Sequence, residues 1–324
     1  METALIAPAR RARPALLRAA LACAIAAAPA ACGSGDGRPD DELSGLVHAP
    51  KPAPATVDVA RASRDLGELM RAATFTHAQV GALLGPHTVT GKSHTEVHEK
   101  GSVIEAIDDE MGIELDAKGN FHAQVDNSKE YGRDVYLVDG WLYQRPRYGK
   151  FHRRRPNDDG EPARIRGEIF GSVAATLDIL APGVDLTAGG EATVAGRKGR
   201  VVKLSPAREQ RKAPRQVLTQ RKWRESVTVH DAGGELVLDE KTGVVLRAVL
   251  QGTVAFQREG RSFEMRLETR QELGSFGAVE EVAPPAPELV VMETQQRHEL
   301  DERDSLLEGI APPAARTRSS GGPQ

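Results

Sequence analysis

A chain of 324 residues leaves room for one large domain or two small ones. Its 43 Lys and Arg nearly balance 46 Asp and Glu, and a net charge of -3 excludes bulk attraction to nucleic acid. Both cysteines, Cys23 and Cys32, fall in the first 32 residues, so the rest of the chain has no disulfide, thiolate metal site or thiol nucleophile.

The first 31 residues read as a targeting signal. Arg10, Arg11, Arg13 and Arg18 precede an apolar run from Ala19 to Ala28. That run is too short for a membrane helix, which needs about 20 residues, and fits a secretory core. Ala30-Ala31-Cys32-Gly33 then resembles a bacterial lipobox, whose cysteine is acylated and becomes the new N-terminus. Pro29 departs from that pattern. The competing reading is cleavage after Ala28-Pro29-Ala30, which releases a soluble periplasmic protein. Residues 32–56 form the expected lipid anchor, Cys32, and a flexible tether rich in Gly, Ser and Pro, with little apolar surface to offset ordering. The expected location is the cell envelope, on its periplasmic side, with membrane contact through lipidated Cys32.

Residues 57–74 predict one helix, with Val59, Ala62, Leu66, Leu69 and Ala73 on a single stripe. From about residue 88 the period becomes two. Ile113 and Leu115 lead into a turn at Ala117–Asn120, and Phe121, Ala123 and Val125 lead out. Val135–Val138 and Trp141–Tyr143 flank the turn pair Asp139-Gly140. A second helix is expected over 164–180, with Ile165, Ile169, Val173, Leu177 and Leu180 on one side and Pro182-Gly183 as its stop. Gly189-Gly190 and Gly233-Gly234 read as turns. Residues 244–256 and 262–270 alternate cleanly around Glu259-Gly260 and predict an antiparallel hairpin with one apolar face. The fold expected over 57–277 is α+β and mostly β. That order of elements is satisfied by a single curved antiparallel sheet with two helices packed on one face. Residues 278–324 read as a Pro-rich, acidic tail, partly disordered, with a short helix over 288–308.

Two local signatures carry a resemblance. One is Val138-Asp139-Gly140-Trp141-Leu142-Tyr143; the other runs from Leu236 through Asp239-Glu240-Lys241-Thr242-Gly243 to Arg247. Their order and separation resemble the bacterial lipoprotein-carrier and lipoprotein-sensor superfamily. That resemblance implies an unclosed β-barrel with two helices covering the concave side, and a cell-envelope lipoprotein that binds or carries a lipid or an acylated protein in the open cleft; the alternative is a sensor or scaffold of the same fold that binds a partner protein and carries no lipid. The cleft candidates are Leu246, Leu250, Val254, Phe263, Met265 and Leu267; packing beneath the helices is the competing role for the same residues.

Catalytic signatures are absent: there is no nucleophile elbow, phosphate loop or zincin spacing, and no enzymatic activity or cofactor is expected. His94 and His98 on a strand lie about 13 Å apart, too far to share a metal, and read as exposed strand histidines. Asp108-Asp109-Glu110 reads as a solvated turn. Two basic stretches remain. Arg145, Arg147, Arg153, Arg154 and Arg155, interleaved with aromatics, are candidates for contact with anionic headgroups. The second, from Arg208 to Arg224, reads as a long loop.

Overall fold

The computed structural model describes residues 56–213, 215 and 219–291. Cys32, the signal, the tether before residue 56 and the tail beyond 291 lie outside the described residues. The expected helix over 57–74 is two helices, α1 (Val59–Ala62) and α2 (Leu66–Ala73). Asp65 makes the break: its backbone is extended and its carboxylate caps α2 by accepting from Glu68 N at 3.1 Å. A third helix, α3 (His77–Leu84), begins in a capping box between Thr76 and Gln79. The helix expected over 164–180 is α4 (Glu161–Phe170) and α5 (Ser172–Leu180), which meet at Gly171.

Among the described residues one sheet of twelve strands holds the fold together, ordered β12-β6-β5-β4-β3-β2-β1-β11-β10-β9-β8-β7. Its central strands are β1 (His87–Glu99), β2 (Ser102–Leu115), β10 (Val245–Arg258) and β11 (Arg261–Gly274). One wing is β3 (Phe121–Asn127), β4 (Gly132–Val138), β5 (Trp141–Pro146) and β6 (Phe151–Arg154). The other is β7 (Val184–Val194), β8 (Arg197–Pro206) and β9 (Thr228–Asp239). All neighbours are antiparallel except β12 (Val290–Val291), which runs parallel to β6. No pairing joins β7 to β12, so the sheet is unclosed, as the resemblance implies.

The hairpin expected around Glu259-Gly260 forms with Phe256 opposite Phe263 and Val254 opposite Met265. Both turn residues have positive φ, 53° and 74°, and Asp139-Gly140 repeats this at 50° and 74°. Three readings need correction. Gly189-Gly190 is no turn but lies inside β7, where the pairing with β8 slips between Ala188 and Glu191. Gly233-Gly234 likewise lies inside β9. Asp108-Asp109-Glu110 sits mid-strand in β2, paired with Lys92, Ser93 and His94 of β1. In all three, long-range pairing overrides a local composition that favours turns.

The start of the expected tail is packed. After β11 the chain crosses the ends of β1 and β2 as a strap. Gly277 N donates to Pro86 O at 2.8 Å, Val282 N donates to Asp116 Oδ2 at 3.1 Å, and Lys118 pairs with Glu281 at 2.6 Å. Val282 is buried against Val138, Tyr143 and Phe151, which brings Val290–Val291 onto the edge of β6. In place of a helix starting at 288, a 3-10 turn at Pro287–Leu289 leads into β12.

Candidate functional site

The helices lie on one face of the sheet, here called inner. α5 rests on β10 and β11, α4 rests on β2 and β3, α2 packs on α5, and α3 packs on α4. Alternation places Leu246, Leu250, Val254, Met265 and Leu267 on this inner face, all 7 % exposed or less, with Phe263 partly buried at its open end. The structure thus brings the six cleft candidates together. It also covers most of them with the protein's own helices. A Cβ on Gly252 would run into the Leu180 side chain, so α5 sits directly on β10 there. Thr176 Oγ1 and Thr269 Oγ1 share a buried hydrogen bond at 2.7 Å between α5 and β11. Toward the hairpin tip, Trp223 tilts on Phe256 at 4.7 Å, and Phe256 stacks on Phe263 at 5.4 Å. Beneath the helices, a void bordered by Phe75, Val80, Phe170 and Gln271 measures about 10 Å³, space for about one water.

The outer face differs. A depression of about 530 Å³ lies across β10, β11, β1, β2 and β3, within the range of small-ligand sites. Register sets its walls. Val249, Arg270, Lys92, Glu110 and Asp126 form one row across five strands, and Arg247, Glu272, Thr90, Gly112 and Gln124 form the next. Gly112, without a side chain, lowers the floor between Thr90 and Gln124. The first row runs from two cations to two anions over about 14 Å at ordinary strand spacing. Lys92 pairs with Glu110 at 2.6 Å, and Arg247 with Glu235 at 3.1 Å. Arg270 and Glu272 have no ion-pair partner among the described residues.

The five arginines proposed to meet anionic headgroups sit around β5 and β6, engaged with the protein itself. Arg145 holds Asp134 at 2.9 Å and lies over the Phe151 ring. Burial alone would raise the Asp134 carboxyl, but its hydrogen bonds from His122 and Arg145 hold it below the ordinary value. Arg147 donates to Asn127 O at 2.7 Å, and Arg154 grips Glu161 with two bonds. That grip pulls the Glu161 pKa down to about 2. Arg153 and Arg155 lie over Trp141 at 4.7 and 3.9 Å, and Arg155 also donates to Gly140 O.

Along β1, Glu96 stands between His94 and His98, at 3.4 and 3.1 Å. The hydrogen bond to Asp108 raises the His94 pKa. His98 is buried, in contrast to the expected exposure. Among the described residues no group of three or more His, Cys, Asp or Glu is arranged to hold a metal ion. No helix among them is long and apolar enough to cross a membrane. Sequence reasoning missed His77, His87 and Arg166, which meet beneath the helices. The Thr76–Gln79 capping pair was the available signal for α3, but nothing local announces its contact with α4.

No family model matches the chain, and no curated protein matches it. Among solved structures, MucB is 19 % identical over 74 % of this chain and 65 % of its own, with a TM-score of 0.25. The chain therefore spans just under two thirds of MucB's length. The Mycobacterium tuberculosis lipoprotein LppX is 10 % identical over 63 % of this chain and 93 % of its own, at TM-score 0.21. A LolA superfamily protein from Nitrosomonas europaea is 9 % identical over 68 % and 95 %, at TM-score 0.20.

Proposed function

We propose that this chain is an exported, membrane-tethered binding module of the cell envelope, without catalysis, that engages a partner protein through the polar outer face of its sheet. The observation behind this reading is the distribution of open space: about 530 Å³ on the outer face against about 10 Å³ beneath the helices. A standing acyl-chain cavity would need the reverse. Arg270 and Glu272, without an ion-pair partner among the described residues, offer charge to a partner at the outer depression, where complementary charges set register and encounter rate.

A second reading is a carrier that takes a lipid or an acylated protein along Leu246, Leu250, Val254, Phe263, Met265 and Leu267. One observation favours it. These residues are covered by short separate helices rather than by a second sheet, and such a cover can lift. In that reading Cys32 anchors the carrier and the arginines near Trp141 face the membrane.

A photo-crosslinking side chain placed at Val249, on the outer depression, and at Leu267, on the inner face, separates the two in living cells. The partner reading expects a discrete protein adduct from position 249, weakened by Arg270→Glu. A lipid adduct from position 267, with none from 249, overturns it in favour of the carrier. Labelling with an alkyne fatty acid in the wild type and in Cys32→Ser tests the anchor; equal labelling removes it.

A further inference from the structure

The buried side-chain polar atoms without a hydrogen-bond partner among the described residues are four: His77 Nε2, His87 Nε2, Arg166 Nε and Gln271 Oε1. They share one location, the interface between the helices and the sheet. His77 opens α3, His87 opens β1, Arg166 lies in α4, and Gln271 points inward from β11. Buried groups of this kind are rare in folded proteins, and each calls for a physical account.

The two histidines are fully buried, with ring centroids 4.9 Å apart. Their partners dictate their protonation. His87 Nδ1 lies 2.7 Å from Gly85 O, which only accepts, so Nδ1 carries a hydrogen, and in the neutral ring Nε2 is a bare lone pair. His77 Nδ1 faces Arg166 Nη1 at 3.5 Å. A guanidinium only donates, so His77 Nδ1 is the lone pair and Nε2 carries the hydrogen. Burial keeps both rings neutral in the closed protein. A second proton on His77 would land on Nδ1, against the Arg166 donor. A second proton on His87 would land on Nε2, where nothing accepts it.

No carboxylate among the described residues offsets that charge. Residues 77–84 contain no acid. On α4, Glu161 is held by Arg154 and Glu168 by Arg133. On β1, Glu96 lies with His94 and His98 and Glu99 with Arg261, toward the far end, while Lys92 holds Glu110 on the outer face. On β2, Glu114 pairs with Thr88 in the outward register. Beside the adjoining turn, Asp116 caps its own loop, and on β3 His122 is bonded to Asp134. On the strap, Phe276 faces His87 at 6.5 Å, Glu281 holds Lys118, and Arg197, over the Phe276 ring, is paired with Asp239. Burial, then His87 and Arg166, lower the His77 pKa well below the ordinary value. Burial and Arg166 lower that of His87, against the bond to Gly85 O.

We propose that His77 and His87 form an acid-triggered latch: protonation beside Arg166, with no acid among the described residues to receive the charge, lifts α3 and α4 from the sheet and bares the apolar inner face over β2 and β3. This goes beyond the proposed function, because it holds whichever class of partner the bared face or the outer face takes. The direction follows from linkage. The closed form binds fewer protons than the open form, whose histidines titrate near about 6.5. The latch is fully effective above that pH and weakens as pH falls through it. Each ring favours the open form by up to about tenfold for every pH unit between that pH and its own closed-state pKa.

The test is hydrogen–deuterium exchange of the full-length protein between pH 7.5 and pH 5.0, corrected for intrinsic exchange, with a fluorescent apolar-surface dye read in parallel. In the wild type, amides of residues 77–84 and 161–170 lose about tenfold or more of their protection as the dye signal rises, while β10 and β11 stay protected. In His77→Gln/His87→Gln, both changes disappear. A wild type that keeps its helix protection to pH 5.0, or a double variant that opens with the wild-type profile, overturns the proposal. Should the double variant not fold, Arg166→Met serves instead. Removing the neighbouring charge moves the opening to lower pH, and an unmoved transition overturns the latch.

Discussion

On β10 and β11, Leu250, Val254 and Met265 point inward and are at most 2 % exposed, while Val249, Arg270 and Glu272 line the open outer depression. The two sets come from the same strands, one residue apart. The inner set meets short helices that fill the space it would otherwise enclose; the outer set meets solvent and is only partly matched in charge. A half-open sheet cannot stack on itself, so any covering of its apolar face must come from the intervening chain segments. Here those segments cover the apolar face, leave a void of about 10 Å³ beside Phe75 and Phe170, and leave polar defects at His77, His87, Arg166 and Gln271. The inner face is thus structurally satisfied and chemically imperfect, whereas the outer face is structurally open.

The sharpest way to break this contrast is truncation on each face. Leu250→Ala is expected to cost about 2–5 kcal/mol, read as a lowered urea midpoint, because it empties a packed site. Arg270→Ala on the outer face is expected to change stability by no more than about 0.5 kcal/mol. Equal costs would mean that the inner face is not the core. Gly252→Ala should cost about 1–3 kcal/mol, because the added methyl meets Leu180 and the Asp231 carbonyl. A neutral result would place α5 away from β10.

Smaller effects refine the same picture. Thr176→Val is expected to cost about 1–2 kcal/mol by stranding the Thr269 hydroxyl, and Thr176→Val/Thr269→Val to recover most of it, since neither polar group then remains. A double variant no better than the single would locate the cost in shape. For Arg154 and Glu161 the expected contribution is about 1 kcal/mol after solvent screening. Its pH dependence is defined. The Glu161 carboxyl is held at about 2 when folded and titrates near about 4.3 when unfolded. The contribution is therefore complete above about pH 5 and lost as pH falls toward about 2. The stability gap between wild type and Arg154→Met, followed by thermal melting, should close over that window. Last, Lys92→Ala removes an exposed pair on the outer face and should change the melting midpoint negligibly. A clear loss there would show the outer row to be structural rather than available.

How much was legible follows from where each signal resides. The hairpin at Glu259-Gly260 was readable to the residue, because the period of two and a positive-φ turn are both local. The inner set of β10 and β11 followed from the same alternation. The helices were read too long, because their apolar stripes continue across Asp65 and Gly171 while the backbone does not. Gly189-Gly190 and Gly233-Gly234 misled, since strand pairing held them extended where composition alone favours a turn. The strap reads as loose tail in the sequence because its anchors, Pro86 and Asp116, lie about 160 residues or more away along the chain.

By itself, then, the sequence determined an alternating, mostly antiparallel sheet and the identity of its apolar face, because side-chain direction in a strand depends only on parity. Only tertiary structure decided whether that face is a cleft or a core, and which polar groups are trapped against it. Those outcomes depend on where helices far along the chain come to rest. His77, His87 and Arg166 acquire a shared chemistry only once α3 and α4 lie side by side on the sheet.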